Sequence, residues 1–360
     1  MKQRKSDMKQ WVNVLILAVI LLSPVAVNAA ETKLEGRIYT GWWLNSGEGG
    51  DGYNAFTLDR SYMTAKSKLS DYTNVNITID MRSIDNYKGY AMVVKYAYAS
   101  WKPKFAVDYL TINLGVQPTK YLETVDGSFW LRRYIEKSTG DLNDYLSTAD
   151  LGLNADLKLG QQGMYGNAGL SVFNGTKYSD LGEKNKQKDF NPYIIFKPVP
   201  NSAEFGQTTL VAQFYSGTQN LTFNDTLKSP DYQHQVVSVG GKLGYKKTLD
   251  LGFDLNWNTL GQGKGKADKK QSALSGFGAL SLGELVGEKS PLRTLGLIGR
   301  VDVVDPNTDV AKDGKTMVIV GVECAPIKGV MASLNYRTTS YQNDKTTATK
   351  YLYLNSEFRF

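Results

Sequence analysis

Along the last ten residues, Leu352, Leu354, Phe358 and Phe360 fall on one parity and Tyr351, Tyr353, Asn355, Glu357 and Arg359 on the other. Side chains alternate across a strand, so this segment has one greasy face and one charged face. The device recurs. Leu151, Leu153, Ala155 and Leu157 alternate with Asp150, Asn154, Asp156 and Lys158, and Leu249, Leu251, Phe253, Leu255 and Trp257 alternate with Asp250, Asp254, Asn256 and Asn258. Half-buried strands of a soluble sandwich would alternate too, so number and spacing carry the argument. Sixteen segments qualify: 33–44, 56–69, 73–83, 90–102, 105–117, 149–160, 163–174, 187–199, 206–216, 233–247, 248–260, 272–284, 292–304, 315–326, 328–339 and 350–360. Their lengths suit the roughly 9 to 11 residues of a tilted membrane-crossing strand. The count is even, and nearly every odd connection is longer than the even ones, as in barrels with short periplasmic turns and long outer loops. The expectation is an all-β, transmembrane, antiparallel up-and-down β-barrel of about 16 strands, with both termini periplasmic.

The N-terminus fits export. Lys2, Arg4, Lys5 and Lys9 precede an apolar run from Trp11 to Leu22, with small residues up to Ala29 and Ala30. This predicts a cleaved signal peptide over 1–29 and one barrel domain over 30–360. The apolar run is shorter than the roughly 20 residues of a spanning helix, and after it no run is long enough. Of 42 Lys+Arg and 35 Asp+Glu, the signal takes four and one, leaving 38 against 34. A charge of +4 gives little support to nucleic-acid binding. One histidine, His234, and one cysteine, Cys324, are too little for a metal cluster or a hydrolytic triad, and no Cys-x-x-Cys-His motif for haem attachment occurs. No catalytic, cofactor or metal residues are expected. His234 is assigned to the membrane rim, Cys324 to the lipid face, and the 22 tyrosines to interfacial girdles.

The lumen parity of the early strands carries Arg37, Arg60, Lys66, Arg82 and Lys95, with Glu35 and Asp80 as counter-charges. Like charges lining a low-dielectric passage concentrate the opposite ion. Asp150, Asp156, Asp250, Asp254, Asp302, Glu323 and Glu357 share the lumen parity later in the chain, so at most a modest anion preference is expected. The longest connection, 118–148, is the third outer loop. A barrel this wide stays open unless something folds inward, and loops of this length are commonly functional. The loop is therefore expected to narrow the lumen, with Arg132 and Arg133 facing the permeant.

Around this loop the sequence resembles the phosphate-selective porins O and P. The match rests on Leu114-Gly115-Val116-Gln117-Pro118, then Arg133-Tyr134-Ile135-Glu136-Lys137, then Ala149-Asp150-Leu151-Gly152. Lys137 stands where that family has arginine and its Pro-Phe-Gly is absent, so phosphate specificity is not carried over. The resemblance implies an outer-membrane porin of a Gram-negative-type bacterium, a water-filled channel for ions and small polar solutes. It also implies a homotrimer, and a role for Phe360 as the signal read by the barrel-assembly machinery. The alternative function is a barrel sheath around a periplasmic multihaem cytochrome, with the haems supplied by that partner. A barrel enzyme such as a phospholipase or protease is disfavoured by the shortage of histidine.

Overall fold

A computed structural model describes residues 31–84, 87–283, 285–287, 289–343 and 345–360. The signal peptide expected over 1–29 lies outside the described residues. Among those residues, sixteen strands form one closed antiparallel barrel in sequence order. They are β1 (Glu31–Asn45), β2 (Asn54–Lys68), β3 (Thr73–Ile84), β4 (Tyr87–Trp101), β5 (Leu110–Pro118), β6 (Ala149–Lys158), β7 (Gly166–Phe173) and β8 (Asp189–Phe196). The second half comprises β9 (Thr209–Thr218), β10 (Gln233–Tyr245), β11 (Leu249–Leu260), β12 (Lys269–Ser281), β13 (Leu295–Asp305), β14 (Lys315–Cys324), β15 (Val330–Tyr341) and β16 (Thr349–Arg359). No described helix is long and apolar enough to cross a membrane.

Closure comes from β1, which pairs with both β2 and β16, running from Arg37 opposite Arg359 to Asn45 opposite Tyr351. Phe360 extends that ladder by one residue: its carbonyl accepts from Gly36 N at 2.8 Å and its N–H donates to Gly36 O at 3.1 Å. A closed sheet leaves no edge, so the backbone polar groups of the wall are satisfied inside it. The two faces then sort by chemistry. Leu153, Leu251, Val320 and Leu354 are exposed on the outside, where lipid would take the place of water. Asn113, Asn154, Asn191, Gln213, Ser238, Asn256 and Asn335 are buried on the inside. Several bond across strands, including Asn113 to Asn154 at 3.2 Å, Asn191 to Gln213 at 2.9 Å and Asn335 to Asn355 at 2.9 Å. Cys324 keeps the parity of the exposed Val320 and Val322 and lies on the outer face.

Three connections are longer than the sequence leads one to expect. β5 begins at Leu110 rather than at 105, because Pro103 opens a 3-10 turn over Lys104–Ala106 closed by Ala106 N on Pro103 O at 2.9 Å. The strand expected over 187–199 stops at Phe196. Pro198 has no N–H to give to the ladder. With the Pro291–Thr294 turn before β13, this lengthens the connections 197–208 and 282–294 and blurs the long-short rhythm on that side.

Two bulges matter for the interior. Tyr39 pairs with Arg60 but Thr40 with Leu58, which leaves Asp59 as the extra residue. Thr78 pairs with Tyr96 but Ile79 with Val94, which leaves Lys95 as the extra residue. A bulge kinks the strand and re-aims the side chain it carries.

Candidate functional site

The third connection, 119–148, folds into the barrel. Its base is closed by Thr119 N on Thr148 O at 3.1 Å and by Thr119 Oγ1 donating to Ser147 O at 2.6 Å. Within it lie α1 (Lys120–Thr124), a π-helical turn (Val125–Trp130) and α2 (Thr139–Leu142). Leu131 ends the π turn in the left-handed region, at φ 60°, and this reversal sends the chain back along the lumen. Tyr121, Leu122, Val125, Phe129, Trp130, Tyr134 and Tyr145 are all buried. Their apolar surface has no core to enter except the inner wall, so the loop docks there. Trp130 meets Phe277 of β12 edge to face at 5.6 Å and carries the Arg300 guanidinium over its ring at 5.2 Å.

Polar anchors fix the docked position. Asp254 of β11 accepts from Tyr121 Oη at 2.7 Å, from Thr139 N at 3.1 Å and from Thr139 Oγ1 at 2.6 Å. Arg132 grips Glu323 of β14 with two contacts, at 2.7 and 2.5 Å. Arg337 of β15 donates to Glu136 at 2.5 Å and to Ile135 O at 2.7 Å. Arg133 stays within the loop, paired with Asp126 and, at 2.7 Å, with Asp141. Burial pushes the Asp141 carboxyl up, but Arg133 and then Lys137 outweigh it and hold it below the ordinary carboxylate range. The Arg133 guanidinium, opposed by burial but flanked by Asp126 and Asp141, is held well above its usual value.

The opposite wall, β1 to β4, faces the loop across the lumen and bears Arg37, Arg60, Lys66, Arg82 and Lys95. From the end carrying the termini upward, Lys66 pairs with Glu35 at 2.7 Å and Arg37 with Glu357 at 3.3 Å. Higher up, Arg60 pairs with Asp80 at 2.6 Å. Arg82 lies over the ring of Tyr178, from the connection 174–188, at 5.4 Å. Burial raises the Tyr178 hydroxyl to about 12, with Asp80 adding to the rise. Arg82 and Lys95 have no ion pair with a carboxylate among the described residues, and Lys95 is the more deeply buried of the two. It is 5% exposed, no carboxylate comes within 4 Å of its nitrogen among the described residues, and its neighbours are the rings of Tyr62, Tyr96 and Tyr178 at 4.7, 5.4 and 5.9 Å.

Two cavities lie between loop and wall. One, of about 540 Å³, is lined by Arg37, Lys66, Lys95 and Arg133 together with Glu35, Glu123 and Asp126; the other, of about 290 Å³, by Arg60, Arg133 and Arg337 together with Asp59 and Glu136. Tyr39 and Arg133 line both and so stand between the two spaces. Arg132 lines neither of these cavities. The sequence leads one to expect both arginines to face the permeant, but Glu323 draws the Arg132 side chain to the wall. His234, the second residue of β10, lies at the end of its strand with its ring turned inward, 5.2 Å from the ring of Tyr215 and beside Tyr145 of the loop. Tyr39, Tyr62 and Tyr96 line the larger cavity rather than a girdle. The shared parity of Tyr39 with Arg37, and of Tyr62 with Arg60, was the signal that could have found the first two.

A closed sixteen-stranded antiparallel barrel, apolar outside, polar inside and with its third connection folded into the lumen, has the fold of the porin-type outer-membrane barrels. No protein-family model matches the chain, and no curated protein does. Solved structures match its fold. An anion-selective porin from Comamonas acidovorans is 9% identical with a TM-score of 0.64, over 92% of this chain and 100% of that one. The outer membrane channel DcaP of Acinetobacter baumannii is 12% identical at 0.62, over 92% and 97%. OmpT, an outer membrane protein of Vibrio cholerae in a trimer form, is 12% identical at 0.61, over 92% and 100%. Identities this low carry the fold alone.

Proposed function

We propose that this chain is a diffusion pore for ions and small polar solutes with a modest preference for anions, and that it works as a homotrimer in the outer membrane of a Gram-negative-type bacterium. The observation that carries this reading is the docked third loop facing a wall with Arg37, Arg60, Lys66 and Lys95 on the lumen side. The passage it leaves is polar and bordered by Arg133. Hydrated ions in such a passage feel the wall charges at short range through a low-dielectric surround, which favours the counter-ion. The carboxylates paired with most of these cations keep the preference modest. The printed descriptions of an anion-selective porin and of a trimer form among the structural neighbours are consistent with both parts. Phe360, bonded to Gly36 at the barrel seam, is the proposed assembly signal.

The same loop argues against a cytochrome sheath. A partner filling the lumen would have to pull Tyr121, Phe129 and Trp130 from buried positions and break the Asp254, Glu323 and Arg337 anchors. Planar-bilayer recording of the refolded barrel across a tenfold KCl gradient tests the pore. Discrete channels with a reversal potential displaced toward chloride are expected. A barrel that never conducts, or a reversal potential displaced toward potassium, would overturn the proposal.

A further inference from the structure

Lys95 presents an unbalanced account among the charges of the wall. Arg37, Arg60, Lys66 and Arg133 each have a carboxylate partner. Lys95 is as buried as any of them, yet its ammonium, with three donors, makes one long hydrogen bond, to Tyr62 Oη at 3.4 Å. Taking a charge out of water without a partner is costly, and contact with tyrosine faces recovers only part of that cost. The bulge at Lys95 turns this side chain and the adjacent Tyr96 toward the same space. That space, about 540 Å³, is within the range of small-molecule sites, roughly 300 to 1,000 Å³. Tyr39 and Tyr62 also face it, their rings edge to face at 5.8 Å.

We infer that this is a solute-binding station whose ligand is a monoanion with a flat apolar body, an aromatic monocarboxylate. The carboxylate supplies the partner that Lys95 lacks, and the ring lies against Tyr39, Tyr62 and Tyr96. A small dianion such as phosphate fits less well. Bidentate guanidinium forks recognise it best, and those nearby are already engaged by Glu357, Asp80, Asp126 and Asp141. A hydrophilic monoanion such as acetate gains the charge contact but no ring contact. The inference rests on the pore proposed above and adds the solute class.

The test uses the full-length barrel in planar bilayers, with benzoate, acetate and inorganic phosphate added separately to a chloride electrolyte. Benzoate is expected to occlude the chloride current saturably, at concentrations about tenfold below those at which acetate or phosphate does. Lys95→Met is expected to weaken the benzoate block by about tenfold or more, the range for a lost charge-assisted hydrogen bond. Tyr62→Leu, which keeps the charge but removes a ring and the hydroxyl that Lys95 bonds, is expected to weaken the benzoate block by a larger factor than the acetate block, and it decides the matter if the Lys95 variant does not fold. Normal chloride channels without benzoate block would overturn the station and leave the pore standing. Phosphate blocking more tightly than benzoate, or benzoate block unchanged in either variant, would overturn it as well. Absence of any channel would instead overturn the pore.

Discussion

Asp254→Ala isolates how the third loop is held. Asp254 is fully buried and accepts three hydrogen bonds from the loop, from Tyr121 Oη, Thr139 N and Thr139 Oγ1, besides one from Asn256 of its own strand at 2.7 Å. Hydrogen bonds to a charged group contribute about 1.5 to 3 kcal/mol each. The three are neighbours and are not additive, so the loss of docking stability is about 3 to 6 kcal/mol. At 1.4 kcal/mol per factor of ten, the undocked loop population rises roughly 10²- to 10⁴-fold. The wall itself keeps its full backbone ladder, since Asp254 N and O still face Gly240 and Ser275. The expected phenotype is a barrel that still resists SDS at room temperature, but whose single-channel record flickers to a larger conductance and whose loop is cut by added protease near Leu131. A steady record of unchanged conductance in a folded Asp254→Ala barrel would refute the claim that this hub holds the constriction.

Acid should loosen the loop's own fold. Asp141 has a carboxyl held below its ordinary value by Arg133 and Lys137 of the same loop, so what its pair adds to the fold of the loop is complete above about pH 4, the unfolded value, and is lost as pH falls through the lower folded value. An Asp141→Asn barrel is therefore expected to be noisier than the parent at neutral pH and to match it well below about pH 4; a difference that already vanishes near about pH 6 would contradict this assignment. Glycines of the wall give a stability test. Gly115 has φ 129°, and a Cβ there would meet Ala97 O at 2.2 Å, whereas a Cβ at Gly276 or Gly299 meets nothing within 4 Å. Gly115→Ala is expected to cost about 2 to 5 kcal/mol from backbone strain and overpacking, and Gly276→Ala to change little, read from the temperature at which the folded band is lost on SDS gels. Equal shifts in the two would be incompatible with the geometry at Gly115.

Where period two rules, the chain is readable. Leu249 to Trp257 or Leu352 to Phe358 can bury their greasy face only against lipid or a core, and sixteen such segments in order define the barrel. Period two fails where a bulge adds a residue. Counting alternately from Met92 puts Tyr96 and Tyr98 outside, and only the extra residue at Lys95 returns them to the lumen. Nothing local marks that insertion. The loop was legible as a loop, from its length and flanking strands, but its docking was not. Tyr121 and Asp254 are separated by 133 positions, and a tyrosine among 22 carries no sign of which wall it will meet. Proline effects lie between these cases. Pro198 lies inside an apolar run that reads as strand, and its missing N–H, visible in the sequence, is what ends β8.

These pairings change what the charge count means. Read from parity, the lumen of the first strands is a row of five cations. In the folded wall Lys66, Arg37 and Arg60 face Glu35, Glu357 and Asp80, and a paired charge at close range contributes to a distant ion mainly as a dipole. The field along the pore is then set less by the number of basic residues than by those whose partner is not in the chain. Lys95 is such a residue. It lines the larger cavity beside Tyr39 and Arg133, where a buried charge is little screened. On this reasoning the selectivity of the pore and the solute station share one determinant. A protein with this wall can keep a weak overall anion preference, as its mixed lumen charge requires, and still hold one class of anion strongly at a single place.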